Sequence, residues 1–378
     1  MKIEQNRWSE GRGWEPEAPG KLGASAQLVF LFGSRDILKS GAQFQELRNA
    51  FPKAHLLGCS TAGEICGTQV SDDSLVVTAV QFDHTEVRGA RVGIGEGADS
   101  YQAGERLAQA LDKTGLRHVF VLSDGLKVNG SDLVRGLTQN LPAQVPITGG
   151  LSGDGADFLE TYVLWDGPAE REVVAAVGFY GDHLRIGYGS LGGWDSFGPE
   201  RLITRSKGNV LYELDGKSAL DLYRKYLGHH AEGLPATGLL FPLSLRMSQE
   251  ETGVVRTILS INDDKGMVFA GDVPEGAYAR LMKANFDRLI DGSIGAARTS
   301  FEAAGSSPPD LAILISCVGR KLVLKQRVEE EVEGVREVLG ERTVLAGFYS
   351  YGEISPFAPR AKCELHNQTM TVTTFSEN

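Results

Sequence analysis

No stretch of this sequence stays apolar for the roughly 20 residues that a membrane-spanning helix needs. The longest apolar runs are of the size of "LAILIS". The opening "MKIEQNRWSEGRGWEPEAPGKLG" is polar and lacks the apolar stretch of a signal peptide, so a cytoplasmic protein without membrane insertion is expected. Cysteine is scarce. Cys59, Cys66, Cys317 and Cys363 are four in 378 residues, too few and too scattered for a disulfide scaffold. Positive charge is short as well. Thirty-eight Lys and Arg stand against 49 Asp and Glu, a net charge of -11, which argues against a nucleic-acid partner because a phosphate backbone wants a basic footprint. "DGKS" (215–218) ends like a phosphate loop, but Leu211 stands where that motif needs its first glycine. Neither "GCSTAG" nor "GLSGDG" fits G-x-S-x-G, so the serine nucleophile elbow is missing too.

Glycine is what the chain has in excess. Its 47 glycines are about 12% of the residues, against a usual level of about 7%. They punctuate strand ends, where a backbone must turn or approach something closely. "QLVFLFG" (27–33) reads as a buried strand, Phe44, Leu47 and Phe51 as one face of a helix opened by a Ser40/Gln43 capping box, and "AHLLG" (54–58) as a second strand leading into "GCSTAGEI". The pattern returns. "HVFVLSDG" (118–125), a helix through Leu133, Leu137 and Leu141, and "VPIT" (145–148) lead into "GGLSGDG". "LAILISCVG" (311–319), a helix through Val328, Val332, Val335 and Leu339, and "TVLAG" (343–347) lead into "GFYSYGEI". The chain thus holds at least three βαβ units.

Three segments, 75–95, 173–190 and 254–273, alternate like β-hairpins. Helices are expected near 100–112 and 277–290, and in "DGKSALDLYRKYLG" (215–228), with Gly228 as its stop. The tail 363–376 reads as one final strand. The expected fold is α/β with two related halves, each combining βαβ units and antiparallel hairpins into mixed sheets flanked by helices. The expected division is a polar lead (1–24), a first domain (25–200) and a second (201–378), with the boundary in the glycine-rich "GGWDSFGPE".

"GCSTAGEI", "DGKSALDLYRKYLG", "SCVGRK", "GFYSYGEI" and "LHNQTMTV", in that order over about residues 25 to 375, resemble the FIST family, an N-terminal FIST domain followed by a C-terminal one. The resemblance implies a stand-alone, non-enzymatic sensory protein. It would bind a small molecule such as an amino acid and act on a histidine kinase or a cyclic-di-GMP enzyme. A subset of the family is similar to haem-binding nitric-oxide sensors, so non-covalent haem is an alternative cofactor; no CxxCH attachment motif is present. His55, His118 and His366 start or lie in strands, whereas His84, His183, His229 and His230 fall in turns or at a helix end.

The candidate ligand residues sit where strands of such units end. Arg320 offers a planar fork for a carboxylate, Glu353 a charge for an ammonium group, and Tyr349 and Tyr351 amphipathic walls. His366 and Asn367 add polar handles, Cys317 lies beside Arg320, and the first motif contributes Cys59, Ser60, Thr61 and Glu64. The competing reading is structural. The two glutamates would then fix glycine turns by hydrogen bonds, Arg320 would hold a surface ion pair, and the cysteines would be inert. A further alternative is an enzyme with Cys59 or Cys317 as nucleophile, or with the two glutamates as acid and base. "GGLSGDG" is a tight loop before it is an anion cradle, and "GIGEGADS" (93–100) is a weak phosphate turn. Cys363 and His366 have C-x-x-H spacing, but on a strand these positions face opposite ways, and no metal is expected.

Overall fold

The computed structural model describes residues 1–95, 99–234, 236–248, 253–357 and 361–378. Residues 96–98 of the "GIGEGADS" turn lie outside them. The first of three modules runs through β1 (Lys2–Ser9), β2 (Gly13–Glu15), β3 (Leu28–Gly33), α1 (Arg35–Ser40), α2 (Phe44–Ala50), β4 (His55–Ser60), β5 (Glu64–Cys66), β6 (Gln69–Ser71) and β7 (Ser74–Gln81). The second has β8 (Glu86–Gly93), α3 (Ser100–Ala110), β9 (Leu116–Ser123), α4 (Gly130–Asn140), β10 (Ile147–Leu151), β11 (Val163–Trp165) and β12 (Val173–Tyr180). The third opens with β13 (Leu184–Leu191) and then carries an insertion. That insertion holds β14 (Asp195–Lys207), β15 (Val210–Leu214), β16 (Lys217–Ser218), α5 (Ala219–Leu227), β17 (Leu243–Arg246), β18 (Val254–Arg256), β19 (Ile258–Ile261), β20 (Met267–Phe269) and β21 (Tyr278–Lys283). The module resumes with α6 (Phe286–Ala303), β22 (Leu311–Cys317), α7 (Val318–Leu324), α8 (Val328–Leu339), β23 (Val344–Ser350), β24 (Gly352–Pro356), β25 (Cys363–His366) and β26 (Met370–Glu377).

The three modules build three six-stranded mixed sheets of one plan. A parallel pair forms the centre of each: β3 with β4, β9 with β10, β22 with β23. The last strand of each module lies antiparallel to the first of that pair, and the module's opening strand lies antiparallel to the last. The remaining side is filled from a neighbour. β5 leaves the first module and pairs with β23 of the third; β24 leaves the third and pairs with β10 of the second; β11 leaves the second and pairs with β4 of the first. The exchange is cyclic, and it closes the modules into a ring.

The centre of the ring is aromatic. Phe30, Phe32, Phe120, Phe348 and Phe375, from all three sheets, are buried together; Phe30 meets Phe120 edge-on at 5.3 Å and Phe32 lies 4.8 Å from Phe348. Each second parallel strand carries a glycine against its partner strand. A Cβ on Gly58, Gly149 or Gly347 would lie 2.3, 1.8 or 1.9 Å from the carbonyl oxygen of Leu31, Val121 or Leu314. The insertion has its own sheet and its own core, which includes Ile203, Leu220, Tyr223, Met267 and Phe269.

Mixed sheets flanked by helices are as expected. Several details differ. The segments 75–95 and 173–190 are not hairpins: β7 and β8 lie in different sheets, as do β12 and β13, because each turn hands the chain to the next module. Only β19 and β20, in 254–273, pair as a hairpin. The tail is two strands in two sheets, not one. The polar lead supplies β1, an integral strand of the first sheet, and residue 200 lies inside β14. Ser40 ends α1 instead of capping α2; its hydroxyl donates back to the Ile37 carbonyl. Residues 278–283 are strand, and the helix expected there begins at Phe286. The repeat unit therefore occurs three times, with "GGLSGDG" as the third copy of the motif loop.

Candidate functional site

The three motif loops meet at the carboxyl ends of the parallel pairs. Ala62 N–H donates to the Tyr349 carbonyl at 2.8 Å, Tyr351 N–H to the Leu151 carbonyl at 3.2 Å, and Gly153 N–H to the Ser60 carbonyl at 2.9 Å. Each loop donates to the next, which closes a ring of backbone bonds. The amides of "GGLSGDG" are spent here: Ser152 N–H goes to the Ser123 carbonyl and Gly155 N–H to that of Thr61. The loop is thus not an anion cradle.

The two Gly-Glu-Ile phrases do the same job twice. The Glu64 carboxylate accepts from the Thr61 hydroxyl three residues before it, and from the Ser74 N–H (3.1 Å) and hydroxyl (2.6 Å) at the start of β7. Glu353 accepts from the Ser350 hydroxyl (2.6 Å), and from the Thr369 N–H (3.1 Å) and hydroxyl (2.9 Å) just before β26. Each glutamate therefore ties an exported strand to the strand that returns to its own sheet. Both side chains are buried. Burial raises Glu64 to about 7 and Glu353 to about 8, against the opposing pull of those donors and of Lys321 or Arg320.

Arg320 does not face a ligand, nor is it a surface residue. It is wholly buried, and its guanidinium donates to Glu331 from Nε (3.0 Å) and Nη2 (2.7 Å) and to the Gly192 and Leu289 carbonyls at 2.7 Å each. Glu331, on α8, also accepts from Ser316 and from the Tyr349 hydroxyl at 2.7 Å. The carboxylate expected from outside is supplied by the chain itself. Tyr351 donates to Asp154 and stacks on Phe158 at 4.4 Å. His366 Nε2 lies 2.7 Å from the Ser355 carbonyl, with its pKa lowered to about 4 by burial; Asn367 donates to the Tyr351 carbonyl at 3.1 Å. Ser60 Oγ accepts the Tyr162 N–H at 2.9 Å. Cys59 and Cys317 are enclosed, and burial pushes both thiols well up, so neither is presented as a thiolate. Among the other histidines, His118 is buried against Phe179 and Phe375 with Nε2 on Thr148, and His55 pairs with Asp166. Among the described residues no three His, Cys, Asp or Glu are grouped to hold a metal ion.

A cleft of about 360 Å³ lies where β3, β4 and β10 end, lined by Arg35, Thr61–Glu64 and Asp154 among others. Arg35 holds Asp157 at 2.9 Å, Asp36 at 3.0 Å and Asp154 at 3.3 Å, and Asp72 and Asp73 complete a strongly acidic wall. Lys321 lies behind this lining, donating to the Ala62 carbonyl at 2.8 Å, pairing with Asp72 and lying 5.6 Å above the Tyr349 ring. Gly63 makes room for it, since a Cβ there would lie 2.3 Å from the ammonium. Of the residues singled out in the sequence, Thr61 and Glu64 line this cleft; the others lie inside the protein. Sequence reasoning missed Arg35, Asp154, Asp157 and Lys321. Arg35 had the same signal as Arg320, a cation just past the end of a parallel strand.

The FIST N domain model matches residues 27–217 and the FIST C domain model residues 219–356. The chain belongs to the FIST family. FIST domains are sensory, small-ligand-binding domains of signal transduction. The FIST chain is 22% identical, over 350 residues, to an uncharacterized protein of Methanocaldococcus jannaschii; the match covers 84% of this chain and 64% of that relative. It is also similar to the crystal structure of cyanuric acid hydrolase from A. caulinodans, at TM-score 0.37 and 8% identity, over 100% of this chain and 99% of that one. That likeness is too low to carry an inference about activity. Among the described residues of the FIST chain, no helix is long and apolar enough to cross a membrane.

Proposed function

We propose that this FIST protein is a non-catalytic sensor of a small amine-bearing metabolite, amino-acid-like in chemistry, whose bound state is read by a histidine kinase or a cyclic-di-GMP enzyme. One observation carries the reading. The described cleft lined by the family motif sits at the carboxyl ends of parallel strands, where open α/β sheets bind ligands, and its wall places one guanidinium among several carboxylates. Arg35 takes the ligand carboxylate in place of Arg320 by exchanging it for Asp157, and the released Asp157 with Asp73 takes the ammonium group. Because residues of the first and second modules line the cleft and Lys321 of the third is bonded to its lining residues Ala62 and Asp72, a ligand there alters how the modules meet, and a partner reads that change.

Thermal unfolding against a panel of amino acids tests this. A cognate ligand at a hundredfold excess over its Kd adds about 2.7 kcal/mol of stability. Arg35→Ala abolishes the shift while the unliganded protein keeps its fold. A panel that moves nothing, or a shift that Arg35→Ala leaves intact, sinks the reading. A Soret band on the purified protein would move the weight to the haem alternative.

A further inference from the structure

A second cleft, of about 580 Å³, lies where the insertion meets the second module. Its walls come from one face of α4, the edge of the inserted sheet and β25, and Leu245, Val254 and Leu365 make part of them apolar. Arg256 lies in it and is only 6% exposed. Its guanidinium donates to the Leu365 carbonyl at 2.9 Å, the Asp272 carbonyl at 3.1 Å, the Val255 carbonyl at 3.2 Å and Ser131 Oγ at 3.4 Å. These partners are all neutral.

The contrast with Arg320 is informative. That equally enclosed arginine has the Glu331 carboxylate at 2.7 Å. Among the described residues, no carboxylate makes an ion pair with Arg256. Two carboxylates, Asp272 and Glu364, share the cleft, but Asp272 is engaged by Asn129 at 2.7 Å and by Arg135 at 3.7 Å. The rim adds Arg135 and the exposed Lys362. Desolvation lowers the Arg256 pKa to about 10, against the opposing pull of the Glu364 and Asp272 charges. A fixed, nearly buried guanidinium facing an open, partly apolar cleft is suited to an anion with an apolar body.

We propose that this cleft is a second binding site, for a small organic anion (a carboxylate or phosphate on an apolar body), with Arg256 as its charge anchor. The anion supplies a counter-charge in direct contact with the guanidinium, and its body packs on Leu245, Val254 and Leu365. Because Arg256 bridges the insertion, α4 and β25, binding there tightens the insertion against the ring.

The test titrates the full chain with 4-bromobenzoate and with phenyl phosphate, using benzamide as the neutral control, and locates bromine by anomalous scattering in crystals. The expected result is millimolar or tighter binding of at least one anion, a bromine or phosphate beside Arg256, and no binding of benzamide. The arm that binds tells carboxylate from phosphate. Arg256→Gln lowers affinity at least tenfold. Since Arg256 also bridges elements, Glu364→Gln serves as a second variant; it removes a nearby negative charge and tightens the anion two- to fivefold. The proposal is overturned if neither anion binds at 20 mM, if benzamide binds as well, if the bromine lies elsewhere, or if Glu364→Gln weakens binding.

Discussion

Glu64 and Glu353 set two demands against each other. Burial favours the neutral acid, while three donors on each favour the carboxylate. Burial wins, since both pKa values lie above the usual carboxylate range, near 7 and 8. A folded-state pKa raised above the unfolded value means that the stabilising contribution is full below about pH 4.5 and is lost as pH rises through 7 to 8. Glu353→Gln should therefore flatten the pH dependence. Relative to the parent, the variant gains stability at pH 9 compared with pH 5, on the order of 4 kcal/mol. Urea unfolding at the two pH values measures this, and an equal offset at both would contradict it. Position 353 was legible in the sequence as a motif residue. Its role was not, because the partner Thr369 lies sixteen residues on, across a strand exported to another sheet.

At the scale of elements, local periodicity read well. α4, α5 and α8 bury the faces their spacing announced: Leu133 and Leu137; Leu220, Tyr223 and Leu227; Val332, Val335 and Leu339. Ser218 caps α5 and Gly228 ends it at φ 57°. Pairing read poorly. The runs 75–95 and 173–190 read like hairpins because each is two strand-like stretches around a short turn, but that pattern does not say which sheet a strand joins: β7 and β12 are buried almost throughout, whereas β8 and β13 are partly exposed. The glycines of the parallel pairs give an element-scale prediction. Gly347→Ala places a Cβ 1.9 Å from the Leu314 carbonyl oxygen, so the β22–β23 pair must separate, at a cost of about 3 kcal/mol or more. Gly93→Ala meets nothing within 4 Å and should change stability by less than about 0.5 kcal/mol. Urea midpoints of the two variants compare them directly; equal midpoints would refute the packing argument.

For the whole molecule, the cyclic exchange decides what can fold alone. A cut at the insertion leaves β10 without β24 and β23 without β5. The ends of the chain close the same ring: Glu377, at the end of β26, accepts from the amides of Asp83, His84 and Thr85 in the turn between the first two modules. Residues 1–194 and 195–378, expressed separately, should each lack a cooperative unfolding transition, and co-expression should restore it. Cooperative unfolding of either piece by itself would show that the modules are more independent than the exchanged strands imply.

The sequence alone determined the elements and their chemistry: three strand–helix–strand units, three glycine-rich loops after them, the apolar faces of the helices, and the family. These are set by local spacing, which is written in neighbouring residues. The tertiary structure decided the rest. It showed that the repeat is threefold, that strands are traded around a ring, and that Arg320 is neutralised from within by Glu331. It also left Arg35 and Arg256 lining clefts. Each of these depends on contacts between residues far apart in the chain, where burial and the nearest counter-charge, not the residue type, fix what a side chain can do.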